Sequence, residues 1–286
     1  MKLIANMPVR NADWVLGLST RAALLWCDEL VMLLHACTDR SAEIAAEIAK
    51  EYPGRVRIIE EAHSDWQEMV FRQRMLDTSR KMGATHVAIT DSDEILTGNL
   101  LPIIRSGISA TPTDHICSTP LYNLRDGIHR YHANGTWGRR IVTMAFADSP
   151  RLHWLGDRWH HREPMGAHPD IWCQLGQQDG GVMHLWGASE RRLKAHHAHY
   201  KLTERLRWPD KSTAEIDRMY SWCVRGVNNE AATWTYADVP PEWWAPYRNW
   251  MEYLDVDAEP WEEAECRRIV AEYEYVRCGL DLFGVV

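Results

Sequence analysis

Phenylalanine is scarce: three Phe stand beside 15 Trp and 14 His in 286 residues. An indole has a flat face and one N–H donor, so sugar rings, bases and an ordinary core can all use it. Cysteine is sparse too. The seven are scattered, odd in number and without a C-x-x-C pair, which argues against a disulfide frame and for reduced thiols. No stretch approaches the ~18–20 consecutive apolar residues of a membrane span. The opening MKLIANMPVR has too short an apolar run for a secretory leader, so the expected location is cytoplasmic. An excess of base is missing as well. The formal net charge of −8 argues against broad non-specific binding to nucleic acid, although a local patch can escape that average. Repeats and low-complexity tracts are absent. What remains, 45% hydrophobic and 25% charged residues, suits one large globular domain or two small ones.

The first hundred residues alternate legibly. Residues 2–6, 29–34, 56–59 and 86–90 are apolar runs of strand length. Between them, Asn11 could cap a helix through Trp14, Leu18, Ala22 and Leu25. Residues 41–52 place Ile44 and Ile48 one turn apart with Glu43 and Glu47 on another face. Pro53-Gly54 stops that helix, and a third, residues 67–82, ends at Gly83. The order β-α-β-α-β-α-β predicts an α/β fold with a mostly parallel sheet flanked by helices. Residues 110–180 are rich in Pro, Gly, His, Trp and Arg and predict irregular strands and loops. Residues 188–206, 212–227 and 262–275 predict helices. Three stretches result: residues 1–100, residues 101–206 and a helical extension, residues 207–286.

After the fourth predicted strand comes ITDSDEIL, with Asp91, Asp93 and Glu94 in four positions. A solvated, capped turn would use such acids. A divalent cation would also, since hard cations take oxygen ligands. In open parallel sheets, ligands bind at the carboxyl ends of the strands. ITDSDEIL, MPVRN and the residues after ELVMLL all stand at that edge.

The succession MPVRN, DELVMLLHACTDRSAEIA and FRQRMLDTSRKMGATHVAITDSDEIL resembles the GT-A-fold nucleotide-sugar glycosyltransferases, family-2-like branch. The matching positions are Pro8 and Asn11, then Thr38, Asp39 and Ser41, then Asp91, Asp93 and Glu94. A later segment, His184-x4-Ser189-Glu190 with Tyr200, resembles the same branch. The resemblance implies a GT-A, Rossmann-like sheet, and transfer of a sugar from a nucleotide-diphosphate sugar, with UDP-sugar as the favoured donor. It implies Mn²⁺ or Mg²⁺ held by Asp91, Asp93 and His184. It also implies donor contacts from Pro8, Val9, Arg10, Asn11, Asp39, Arg72, Asp91, Ser92, Lys194 and Tyr200. The chain departs from the pattern at Leu34 and His35, where an acid facing the nucleotide is usual, and at Cys37. In the register of a usual lysine it has His196, with Lys194 two residues earlier.

Each residue also has a plain structural use. Asp39 could cap a helix, Arg10 and Arg72 could sit in ion pairs, and His184 could be a satisfied core imidazole. Glu94 could orient the loop, accept from sugar hydroxyls or be a solvated first-turn acid. Direct displacement needs a carboxylate to take the acceptor proton. Glu163, in His161-Arg162-Glu163, is the first candidate, with Asp170 and Asp179 next. Residues 125–162 hold seven Arg and three Asp, with no Lys or Glu. Tyr131, Trp137, Trp154 and Trp159 are interleaved. Such a stretch could cradle an anionic or planar acceptor, or be Arg stems packed on Trp. The acceptor hydroxyl expected is that of a glycan or of a hydroxymethylated DNA base. A nucleotidyltransferase is the rival enzyme, although MPVRNADW lacks the glycines of its phosphate loop. A non-catalytic saccharide- or nucleic-acid-binding module is the rival outside enzymes.

Overall fold

The four apolar runs of the amino-terminal half pair side by side, as their alternation with amphipathic helices predicts. In the computed structural model, which describes residues 1–138, 140–155, 162–168, 180–221 and 233–286, the chain begins β1 (Leu3–Val9), α1 (Leu16–Leu24), β2 (Glu29–His35) and α2 (Ser41–Glu51). It continues β3 (Val56–Glu61), α3 (Glu68–Lys81), β4 (His86–Ile89), β5 (Glu94–Leu96), α4 (Leu101–Ser109) and β6 (Ile116–Asn123). Then come β7 (Arg130–His132), the single turn α5 (Gly135–Gly138), β8 (Arg140–Ala147), β9 (Val182–His184) and α6 (Glu190–Arg207). The last are α7 (Thr213–Tyr220), β10 (Tyr236–Asp238), α8 (Pro241–Trp244), a 3-10 stretch (Ala245–Tyr253) and α9 (Trp261–Glu272).

The main sheet has the order β3-β2-β1-β4-β8-β6-β9-β5. Its first four strands are parallel, the Rossmann-like part of the expected α/β, GT-A architecture. Beyond β4 the neighbours run antiparallel, β8 on β4, β6 on β8 and β5 on β9. These later strands come from the stretch in which the sequence shows little periodicity. Strands β1, β2 and β4 are largely buried on both faces and read as apolar runs, while β3, at the sheet edge, is half-exposed. Helix α3 covers one face, with Phe71 and Met75 against Ile4, Val31 and Leu33, and Met69 and Leu76 against Val87, Ile89 and Phe146. It ends as its sequence indicates: Gly83 has φ +83°, the left-handed conformation that closes many helices.

Two local expectations are corrected. Asn11 caps no helix, since α1 begins only at Leu16. Asn11 instead takes φ 48° and turns its side chain to another loop. Glu94 is not a first-turn acid of a helix, because it opens strand β5.

The chain forms two compact units, residues 1–122, 140–184 and 240–255 in one, residues 123–139, 185–239 and 256–286 in the other. They cut across the expected stretches 1–100, 101–206 and 207–286. The first unit reclaims residues 240–255 because they complete its packing. The Tyr247 hydroxyl donates to the Leu96 carbonyl at 2.6 Å, and the Arg21 guanidinium lies 4.2 Å from the Tyr253 ring centre. Trp243 and Trp244 are buried there, in line with a packing role. In the second unit α6 and α9 share a core of Ala198, Leu202, Cys266, Ile269 and Val270, and β7 pairs antiparallel with β10.

Strand β9 reaches its place through Gly181. A Cβ there would lie 2.1 Å from the Pro120 carbonyl oxygen, backbone that cannot swing aside. The Gly181 amide donates to Thr97 Oγ1 at 3.0 Å and its carbonyl accepts from the Thr97 amide at 2.8 Å. Gly181→Ala is therefore expected to cost about 1–3 kcal/mol and to lower the thermal midpoint. An unchanged melting curve would show that β9 has room to spare.

Candidate active site

The stretch ITDSDEIL folds back on itself at the carboxyl end of β4. The Glu94 amide donates to the Asp91 carbonyl at 3.0 Å. Glu94 Oε2 accepts in return from the Asp91 amide at 3.1 Å. The turn thus uses its own carboxylate as a brace. Ser92 and Asp93 stand at its tip, both partly buried. Antiparallel pairing of β5 with β9 sets Glu94 opposite His184. That register brings His184 Nε2 to 3.5 Å from Asp93 Oδ2.

Two guanidiniums answer the acids. Arg72, buried on α3, donates from Nε to Glu68 at 2.7 Å and from Nη2 to Asp91 Oδ1 at 3.3 Å. Arg162 donates to Asp91 Oδ2 at 3.1 Å and to both oxygens of Glu94 at 2.8 and 2.7 Å. Burial works against a charge on Asp91, but Arg72 and Arg162, and then His184, outweigh it and hold the carboxyl below its ordinary value. Burial likewise opposes a charged His184. Its partner Asp93, followed by Glu94 and Asp91, outweighs that and raises the imidazole. Glu163 accepts from the Thr143 hydroxyl at 3.1 Å.

A second group of residues gathers at the ends of β1 and β2. Pro8 and Val9 are strand residues paired with Leu33 and Leu34. Asn11 Oδ1 accepts from the Thr38 amide at 2.7 Å and the Asp39 amide at 3.3 Å. Asp39 accepts from the Ser41 amide at 2.9 Å and the Asp13 amide at 3.0 Å, so it braces the start of α2 just ahead of the cap position. His35 ends β2 and is buried. Its Nε2 lies 2.8 Å from the His63 carbonyl, which can only accept, so Nε2 carries the proton. Its Nδ1 then accepts from Arg10 Nη1 at 3.3 Å. Arg10 also donates to the Ser64 carbonyl at 2.9 Å. Together Arg10 and His35 fasten residues 63 and 64 over the strand ends. Trp66 and Phe71 close on the His35 ring at centroid distances of 5.4 and 4.7 Å.

The expected residues thus separate into sets. The first unit contains Asp91, Ser92, Asp93, Arg72, His184 and Glu163, and also Pro8, Val9, Arg10, Asn11 and Asp39. Lys194 and Tyr200 lie on α6 of the second unit. There Lys194 pairs with Glu190 at 3.1 Å, and Tyr200 packs on His196 at 4.2 Å. Asp170 and Asp179 lie outside the described residues, as do His161, Trp159, Arg139 and Arg158. Among the described residues no group of three or more His, Cys, Asp and Glu is placed to hold a metal ion. Asp93 and His184 approach each other, while Asp91 faces Arg72 and Arg162.

Four arginines of the basic aromatic stretch have carboxylate partners. Arg125 pairs with Glu190, Arg130 with Asp126, and Arg151 with Asp114, while Arg162 is committed to the acid turn. Trp154 is buried in the core beside Phe146. Sequence reasoning gave Arg162 no role of its own. Three acids within four positions, with no base beside them, were a sign that a distant cation must neutralise them.

The chain matches no protein-family model and no curated protein. Among solved structures it is similar to the mannosyltransferase PcManGT from Pyrobaculum calidifontis in complex with GDP-Man and Mn²⁺, at 12% identity and TM-score 0.43, over 96% of this chain and 88% of that one. It is also similar to S. aureus TarS 1-349 in complex with UDP, at 17% identity and TM-score 0.34, over 45% of this chain. The match spans only 36% of that TarS chain. GalNAc-T7 with UDP, GalNAc and Mn²⁺ is similar at 10% identity and TM-score 0.37, over 78% and 56% of the two chains. Residue assignments rest on the geometry of this chain alone. Among the described residues no helix is long and apolar enough to cross a membrane.

The His35 arrangement has a pH signature. Burial, and next the Arg10 charge, hold its imidazole below the ordinary value. As pH falls through about 6.5 the unfolded chain takes up this proton first, so stability declines. His35→Phe should lower overall stability yet make the decline in thermal midpoint between about pH 7 and pH 5.5 shallower. A slope equal to that of the wild type would mean that His35 is protonated as readily in the folded chain.

Proposed function

We propose that this protein is a metal-dependent glycosyltransferase that moves a sugar from a nucleotide-diphosphate sugar to an acceptor hydroxyl. The observation that carries the reading is the Asp93–His184 pair at the carboxyl end of a parallel strand, beside Asp91 held ionised by two arginines. One carboxylate and one imidazole, converging to 3.5 Å, fit Mn²⁺ or Mg²⁺, which take a few protein ligands and complete their shell with phosphate oxygens and water. Such an ion supplies Lewis-acid neutralisation of the departing diphosphate. Asp93 and His184 would hold it, and Asp91, with Ser92 beside it, would face the nucleotide. Arg10, Asn11 and Asp39 would shape the donor side, since they order the ends of β1 and β2.

In the transfer the acceptor oxygen bonds to the anomeric carbon, the nucleotide diphosphate leaves, and a carboxylate takes the hydroxyl proton. Glu163 is the assigned base. The Thr143 hydroxyl donating to one of its oxygens orients the carboxylate. A glycan hydroxyl is the acceptor that fits best. A hydroxymethylated DNA base would call for free cations along the strand path, and four arginines of the basic stretch are already paired with carboxylates. A cytoplasmic location and a UDP-sugar donor belong to the same reading.

Two substitutions test it. Asp93→Asn should keep the fold and lose the Mn²⁺-dependent rise in thermal midpoint given by a nucleotide diphosphate; undiminished transfer by this variant would sink the metal assignment. Glu163→Gln should lower turnover by roughly 10²–10⁴-fold with donor affinity near normal. Wild-type turnover would pass the role of base to Asp170 or Asp179.

A further inference from the structure

Arg162 has five N–H donors and the structure gives each an acceptor. Nε donates to the Thr143 carbonyl at 2.7 Å. Nη1 donates to Asp91 Oδ2 at 3.1 Å and Glu94 Oε1 at 2.8 Å. Nη2 donates to Glu94 Oε2 at 2.7 Å and the Ile89 carbonyl at 3.0 Å. The side chain is 15% exposed and that of Glu94 only 4%. A guanidinium with every donor committed to protein has none left for a phosphate. It therefore does not serve this site as a substrate clamp.

Its partners show what it does. Ile89 ends β4, Asp91 and Glu94 bound the acid turn, and Thr143 lies on β8, the antiparallel neighbour of β4. The next residue, Glu163, is fastened to the same Thr143 through its hydroxyl. One planar cation thus ties the turn that carries Asp93 to the segment that carries Glu163. We propose that Arg162 is the positioning residue of this site, holding the acid turn and the Glu163 carboxylate in one fixed frame. The proposal rests on the glycosyltransferase reading and adds to it a residue that touches neither donor nor acceptor. Lysine cannot replace it, because an ammonium has three donors and no planar fork to match a carboxylate.

The test uses the full-length protein with Mn²⁺, a nucleotide sugar that it turns over and a saccharide acceptor. R162K and R162A should lower kcat for transfer by about 10²-fold, the loss that a displacement near 1 Å produces, with a much smaller change in donor KM. Guanidinium ion at tens of millimolar, far below denaturing concentrations, should restore part of the R162A rate. Methylammonium at the same ionic strength should not. If R162A fails to fold because Glu94 is left buried without its partner, the double variant E94Q/R162Q removes both charges and should show the same split between kcat and KM. Wild-type kcat in R162K and R162A would overturn the proposal. So would a rise in donor KM that accounts for the whole loss without rescue, since that is the mark of a donor contact. A wild-type protein inert toward every nucleotide sugar would overturn the function itself, and the role of Arg162 with it.

Discussion

Carboxylates crowded at a strand end repel one another, and the site depends on how that repulsion is met. Glu68, Asp91 and Glu94 pair with the guanidiniums of Arg72 and Arg162, and Asp93 stands beside them. Four negative charges stand against two positive ones. The remainder sits toward Asp93, whose partner is an imidazole rather than a guanidinium. That surplus raises the His184 imidazole above its ordinary value, and it would equally favour a divalent cation there. Arg72 is buried and Arg162 largely so, so their charges are little screened, and loss of either would leave an uncompensated carboxylate in a poorly hydrated place.

The sheet makes this arrangement possible. Parallel pairing of β1, β2 and β4 sets three loops on one edge, as expected of an open α/β sheet. The antiparallel additions then bring in residues distant in sequence. Strand β9 pairs with β5 and delivers His184 across from Glu94, while β8 lies beside β4 and delivers Thr143. Gly181 is the point at which backbone must approach backbone for the first of these to occur. Close backbone approach and long-range pairing thus act together on one imidazole.

The sequence showed the parallel half well because β1, β2 and β4 are largely buried on both faces and α2 has separate buried and exposed faces, so each announces itself over a few residues. ITDSDEIL stood out for the same reason: its charges are adjacent in the chain. The antiparallel half was hidden. Residues 110–180 satisfy their backbone through pairings between distant strands, and such pairings leave little local periodicity. Arg162 escaped notice because a guanidinium's partners are set by tertiary structure; His161-Arg162-Glu163 drew attention only to its glutamate. The arginines of residues 125–162 show the converse. Counted along the chain they form a basic patch, but Arg125 and Arg151 take carboxylate partners, Glu190 and Asp114, from outside the counted window.

The account turns on where a divalent cation settles. The most direct measurement is a crystal of the wild-type protein grown with MnCl₂ and a nucleotide diphosphate, read by anomalous scattering from manganese. An anomalous peak bound by Asp93 and His184, with diphosphate oxygens completing its shell, is the expected result. A nucleotide diphosphate bound with no manganese near that pair, or a peak on other side chains, would contradict the account.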